Sequence, residues 1–110
     1  MTTKKVATLV IHAPQYKRGK KPFQAVLADG VGVGYIIYES DKSKLQVPGS
    51  TVVLLANDLE RRAEGVLDKL CPTVIAKNGQ QRYNVHIKGL TEVHYKPEEL
   101  NRCGVAVVDC

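Results

Sequence analysis

The chain has 110 residues, 44% hydrophobic and 25% charged, with a formal net charge of +5. That length suits a single globular domain over residues 1–110 with its own core, and the composition is that of a globular chain, not a disordered one. No stretch approaches the ~20 apolar residues of a membrane-spanning helix, so no membrane partner is expected.

The excess charge is local. Residues 1–28 hold Lys4, Lys5, Lys17, Arg18, Lys20 and Lys21 with no acid, whereas the remainder holds ten bases and eleven acids. Such a focus of cations suits an anionic partner better than scattered lysines do. One Phe and no Trp leave Val, Leu, Ile and Tyr to build the core, which favours β-structure. Cys71, Cys103 and Cys110 are odd in number and lack CxxC spacing, which argues for a reducing, cytoplasmic setting over a disulfide framework. Lys4 and Lys5 before VATLVI imitate a signal peptide, but the run is short, contains Thr8 and leads into His12 and a basic loop.

In chain order, residues 6–11 are apolar on both faces and predict a central strand. The basic loop QYKRGKKP follows at 15–22, and FQAVLA at 23–28 is too short to assign before a turn at Asp29-Gly30. Residues 32–39 (GVGYIIYE) predict a strand entered through glycines, and 41–44 a polar turn. Pro48-Gly49 predicts a type II turn feeding a second two-faced apolar strand, TVVLLA at 51–56.

Residues 58–70 (DLERRAEGVLDKL) support two readings. As a helix, Leu59, Ala63, Val66, Leu67 and Leu70 form a stripe, with Asn57 and Glu60 as a capping box and Pro72 as the stop. As a turn plus strand, 58–62 reverses the chain and Ala63, Gly65 and Leu67 share a face. Local pattern favours the helix narrowly, despite a cost of about 1 kcal/mol for a mid-helix glycine.

Asn78-Gly79 between TVIAK and QRYNVHIK predicts a hairpin. In its second arm Tyr83, Val85 and Ile87 point one way, and Arg82, Asn84, His86 and Lys88 the other. Residues 96–104 predict a miniature helix opened by Pro97 and closed by Gly104, and 105–108 a final strand. The expected fold is mainly β (α+β): a small closed or half-open β-barrel with one or two short helices.

The stretch VPGSTVVLLANDLERRAEGVLDKLCP resembles the middle of the small barrels grouped as PUA, ASCH and EVE domains. The matching residues are Pro48-Gly49, then 52–55, then Ala63-Glu64-Gly65-Val66. The chain departs from that pattern in carrying Ser50 where those families usually have Asp, and it lacks the aromatic N-terminal segment of EVE domains. The resemblance implies an RNA-binding or modified-base-binding barrel.

Several familiar sites are excluded by spacing. Gly19-Lys20 cannot end a phosphate-binding P-loop, because Pro14 and Lys21 occupy its glycine and hydroxyl positions. Gly30, Gly32 and Gly34 precede a strand where a dinucleotide fingerprint needs a helix, so they predict a bulge or close backbone approach. No metal-ligand spacing occurs, so neither a metal nor a cofactor is expected. Asp58, Glu60, Glu64 and Asp68 alternate with Arg61, Arg62 and Lys69 as a self-neutralising face, and no catalytic residue is assigned.

Two features remain. Tyr16, Lys17, Arg18, Lys20 and Lys21 combine cations with an aromatic, which suits phosphate contact and base stacking. Arg82, Asn84, His86 and Lys88 place polar groups along one strand face, where base edges or phosphates can be bound. Together they predict a non-enzymatic nucleic-acid-binding module. The alternative is a protein-interaction or homo-oligomeric domain that pairs the edge of 35–38 or 105–108 with a partner. An enzyme would need His86, His94 or Cys103 to converge in a pocket.

Overall fold

The structure, a computed structural model, describes residues 7–15, 21–94, 96 and 105–108. The strands are β1 (Thr8–His12), β2 (Val31–Ile36), β3 (Thr51–Ala56), β4 (Arg61–Ile75), β5 (Gln81–Val93) and β6 (Val105–Val108). Two short helices, α1 (Phe23–Asp29) and α2 (Glu39–Lys42), flank β2. All six strands form one sheet in the order β2-β5-β4-β3-β1-β6. Among the described residues β1 and β3 run parallel and every other neighbouring pair is antiparallel. The fold is mainly β, a curled half-barrel with two short helices.

The two-faced apolar strands explain the centre of this sheet. Leu9, Ile11, Val52 and Leu54 turn one way into the main core with Phe23, Val26, Leu67 and Val85. Val10, Val53 and Leu55 turn the other way into a second small cluster with Ala106. Burial on both faces is what a near-continuous apolar run requires. The curl brings β2 back over β1: the Tyr35 hydroxyl donates to the His12 carbonyl at 2.9 Å. Gly32 permits this approach, since a Cβ there would lie 2.8 Å from the Tyr35 ring and 3.1 Å from Ile11 Cδ1.

The helical reading of 58–70 is overturned. Asn57–Leu59 is a single 3-10 turn, Glu60 takes a left-handed conformation at φ 51°, and β4 begins at Arg61. β4 then pairs with β3 on one side and β5 on the other. A helix would have buried Val66 and Leu67 together; here Leu67 is 0% exposed and Val66 45%. Two flanking ladders supply backbone hydrogen bonds and non-local burial that no local propensity encodes.

Residues 23–29 form a helix that local pattern left unassigned. Its signals are Pro22 before it, Phe23 and Val26 on one buried face, and Gly30 in the left-handed cap at φ 72° donating to the Val26 carbonyl. The predicted strand from 32 to 39 stops at Ile36, and the polar turn begins earlier as the one-turn α2. The turn at Pro48-Gly49 is present but is not type II. The Val47–Pro48 peptide is cis and Gly49 sits at φ 140°. Ser50 closes it, its N–H donating to the Gln46 carbonyl and its hydroxyl accepting from the Gln46 N–H, each at 2.9 Å. Asn78-Gly79 does turn a hairpin, through a three-residue loop at 77–79 bracketed by the bond from the Ala76 N–H to the Gln80 carbonyl. The miniature helix expected at 96–104 lies outside the described residues except for Lys96.

Candidate functional site

β5 alternates as its sequence predicts. Tyr83, Val85 and Ile87 are buried, while Arg82, Asn84 and His86 are half-buried and Lys88 is exposed. β4 completes that outer face. A register shift between Leu67 and Lys69 sets Lys69 opposite His86, and Asp68 reaches Lys88 with 3.7 Å between charged atoms. Cys71 lies opposite Asn84 and Val66 opposite Lys88. The result is a polar strip two strands wide, to which β4 contributes Lys69. Sequence pattern placed Lys69 in a self-neutralising row; among the described residues no carboxylate lies within salt-bridge distance of it.

Two members of the β5 row also brace the fold. The β2–β5 register shifts between Gly32 and Tyr35, where Gly34 sits at φ 74°. The Gly34 N–H donates to Asn84 Oδ1 at 3.1 Å, and Arg82 Nη1 donates to the Gly34 carbonyl at 2.7 Å. These side chains satisfy the backbone groups that a bulge removes from the ladder. With its oxygen so engaged, Asn84 presents its NH2 donors outward, and Arg82 keeps further guanidinium N–H groups.

Tyr16, Lys17, Arg18 and Lys20 lie outside the described residues, but both ends of their loop are defined. On the entry side the Gln15 N–H donates to Asp58 Oδ2 at 3.0 Å. On the exit side Lys21 forms an ion pair with Asp29 and donates to the Val31 carbonyl at 3.0 Å. Lys21 and the Val31 N–H hold the Asp29 carboxyl below the usual carboxylate range, with the Lys21 hydrogen bond as the largest cause and slight burial opposing it. Lys21 is therefore a structural anchor more than a free cation. Val31 is the cross-strand partner of His86, so the Lys21 contact lies one strand away from the β5 row.

Sequence pattern missed a charged hub on the opposite, core-facing side. Arg61 donates from Nε and Nη2 to both oxygens of Glu92, at 2.6 and 2.7 Å. The same guanidinium lies 4.6 Å from the centre of the Phe23 ring and bonds Gln24 Oε1 at 3.1 Å. Glu92 raises the Arg61 pKa and Arg61 lowers that of Glu92, in both cases chiefly through these hydrogen bonds. Only pairing across β4 and β5 brings residues 61 and 92 together, so no local spacing reveals them. At the other end of β2, Lys42 of α2 sits 5.0 Å from the centre of the Tyr83 ring.

His86 lies in β5 and His94 just beyond it, eight residues along an extended chain, or roughly 26 Å at strand rise. They do not converge, and Cys103 lies outside the described residues. Among the described residues no cluster of three His, Cys, Asp or Glu side chains could hold a metal ion, and no helix is long and apolar enough to cross a membrane. In comparisons with family models, curated proteins and solved structures, nothing matches this chain.

Proposed function

We propose that this chain is a nucleic-acid-binding β-barrel module that holds single-stranded or modified-base nucleic acid, RNA foremost, without catalysing a reaction. One observation carries the reading: Arg82, Asn84, His86 and Lys88 share one sheet face, and Lys69 stands beside His86 within it. Lys69, Lys88 and Arg82 would meet phosphates, while Asn84 and His86 would offer hydrogen bonds to base edges. The basic loop of Tyr16, Lys17, Arg18 and Lys20, tethered at Lys21 near Val31, would add affinity at the edge of that face. The resemblance to PUA, ASCH and EVE domains supports the same reading, and the cysteine usage supports a cytoplasmic setting for it.

Fluorescence anisotropy with a labelled single-stranded RNA tests this directly. Affinity falls steeply between about 50 and 300 mM salt if phosphates are neutralised by these cations. Weak binding that does not change over that range removes the reading.

A second reading is favoured by sheet order. β2 and β6 are the two edges of the described sheet; β6 is the 105–108 segment, whereas β2 holds only Tyr35 and Ile36 of 35–38. β2 is blunted by its bulge at Gly34, so β6, ending in exposed Val108, is the better edge for a homo-oligomer. Light scattering that finds a tight dimer indifferent to nucleic acid would favour this alternative.

A further inference from the structure

The β4–β5 hairpin outruns its neighbour. β2 ends at Ile36, which pairs with Arg82, while the hairpin continues through 74–81. Beyond that point lies an open groove of about 470 Å³ lined by Ile36, Ile75, Ala76, Lys77, Asn78 and Arg82. Ile75 is 69% exposed and neighbouring Val74 65%, so the hairpin tip presents two adjacent apolar side chains to solvent. The volume falls in the ~300–1,000 Å³ range of small-ligand sites.

We infer that this groove is a subsite for one unstacked nucleotide of a single strand, with the base laid on Ile36, Ile75 and Ala76 and the phosphate between Lys77 and Arg82. The inference rests on the nucleic-acid reading above and extends it to this open groove. The lining carries two cations and no acid, so its charge complements a phosphate. Its apolar floor suits the face of a base, which every nucleotide presents whatever its sequence. Asn78 accepts from the Gln80 N–H through Oδ1 at 3.0 Å, which turns its NH2 donors toward solvent or a base edge. Arg82 belongs both to this groove and to the β5 row, so a strand tracking His86 and Asn84 would arrive here without a break. A base in the groove replaces water over Ile75, which accounts for an isoleucine held in the open.

The test compares the wild-type protein with Ile75→Ser and Lys77→Gln on two labelled single-stranded oligonucleotides of equal length, one intact and one abasic at every position. Both variants change exposed tip residues, and their melting temperatures are checked against wild type. Ile75→Ser is expected to weaken the intact oligonucleotide five- to tenfold without changing the salt slope, and to leave the abasic one unchanged. Lys77→Gln is expected to weaken both and to reduce the slope by about 1. A 2-aminopurine base at the bound position would change in fluorescence with wild type and not with Ile75→Ser. Salt-dependent binding that treats intact and abasic strands alike, or that ignores Ile75→Ser, overturns the subsite and leaves the parent reading standing. Absence of binding to either oligonucleotide removes both.

Discussion

Arg82 holds the carbonyl of Gly34 at 2.7 Å, so a residue of the polar strip also braces the edge strand beside it. Asn84 takes the N–H of the same glycine, and between them the bulged residue has both its backbone groups satisfied. Fold and candidate site therefore share side chains, and substitutions must be chosen to separate the two roles.

Asn84→Ala removes the acceptor and leaves the Gly34 N–H without it. The expected loss is about 1 kcal/mol, or roughly 4 °C or more in Tm. Asn84→Asp keeps an acceptor oxygen and retains most of that stability, yet it replaces the outward NH2 with a negative charge. Thermal melts and anisotropy together should therefore show Asn84→Asp folded and weak in binding RNA.

Lys69→Gln should weaken oligonucleotide binding about equally for all sequences and lower the salt slope by about 1, since its proposed contact is with phosphate. Lys96→Gln, an exposed change outside the strip, should leave the slope as it is. Titrations at several salt concentrations measure both.

Gly65 separates strand from helix by the sign of one substitution. In a helix, Gly65→Ala would stabilise by about 1 kcal/mol. In this sheet the added Cβ would lie 2.6 Å from Ile87 Cγ2 and 2.8 Å from the Lys88 carbonyl oxygen. The expected outcome is destabilisation by about 1–3 kcal/mol in chemical denaturation.

Leu67→Ala and Val66→Ala should differ sharply for the same reason. Leu67 is fully buried, and its truncation should cost about 2–5 kcal/mol. Val66 faces outward, so its truncation should stay within about 0.5 kcal/mol. Equal effects would mean that the alternation along β4 is wrong.

Acid stability should depend on Glu92. Its folded pKa lies below the ordinary carboxylate value of about 4.3 because Arg61 bonds both oxygens. The unfolded chain then takes up the proton first as pH falls. The stabilisation is whole above the unfolded value and is lost as pH drops through the folded one. Glu92→Gln should lower Tm at pH 7 and flatten its decline as pH falls below the ordinary carboxylate value. Asp29, paired with Lys21, contributes in the same direction from a more exposed position.

What was legible in the sequence was what short-range pattern encodes. Two-faced apolar runs marked β1 and β3 as central strands, because a strand buried on both sides has no polar face to show. Asn78-Gly79 and the alternation after it marked the hairpin and the outer row of β5, since both depend on backbone conformation and a period of two. Gly32 and Gly34 were readable as close approach and bulge for a comparable reason: only glycine fits there.

Tertiary structure alone decided the rest. The segment from Arg61 to Ile75 carries a helical stripe, yet it is a strand because β3 and β5 offer it a ladder on each side. Arg61 met Glu92, Lys69 met His86 and Arg82 met Gly34 through pairings 17 to 48 residues apart. Those contacts follow from strand order and register, which are set by the collective burial of the core and are written in no single stretch of the chain.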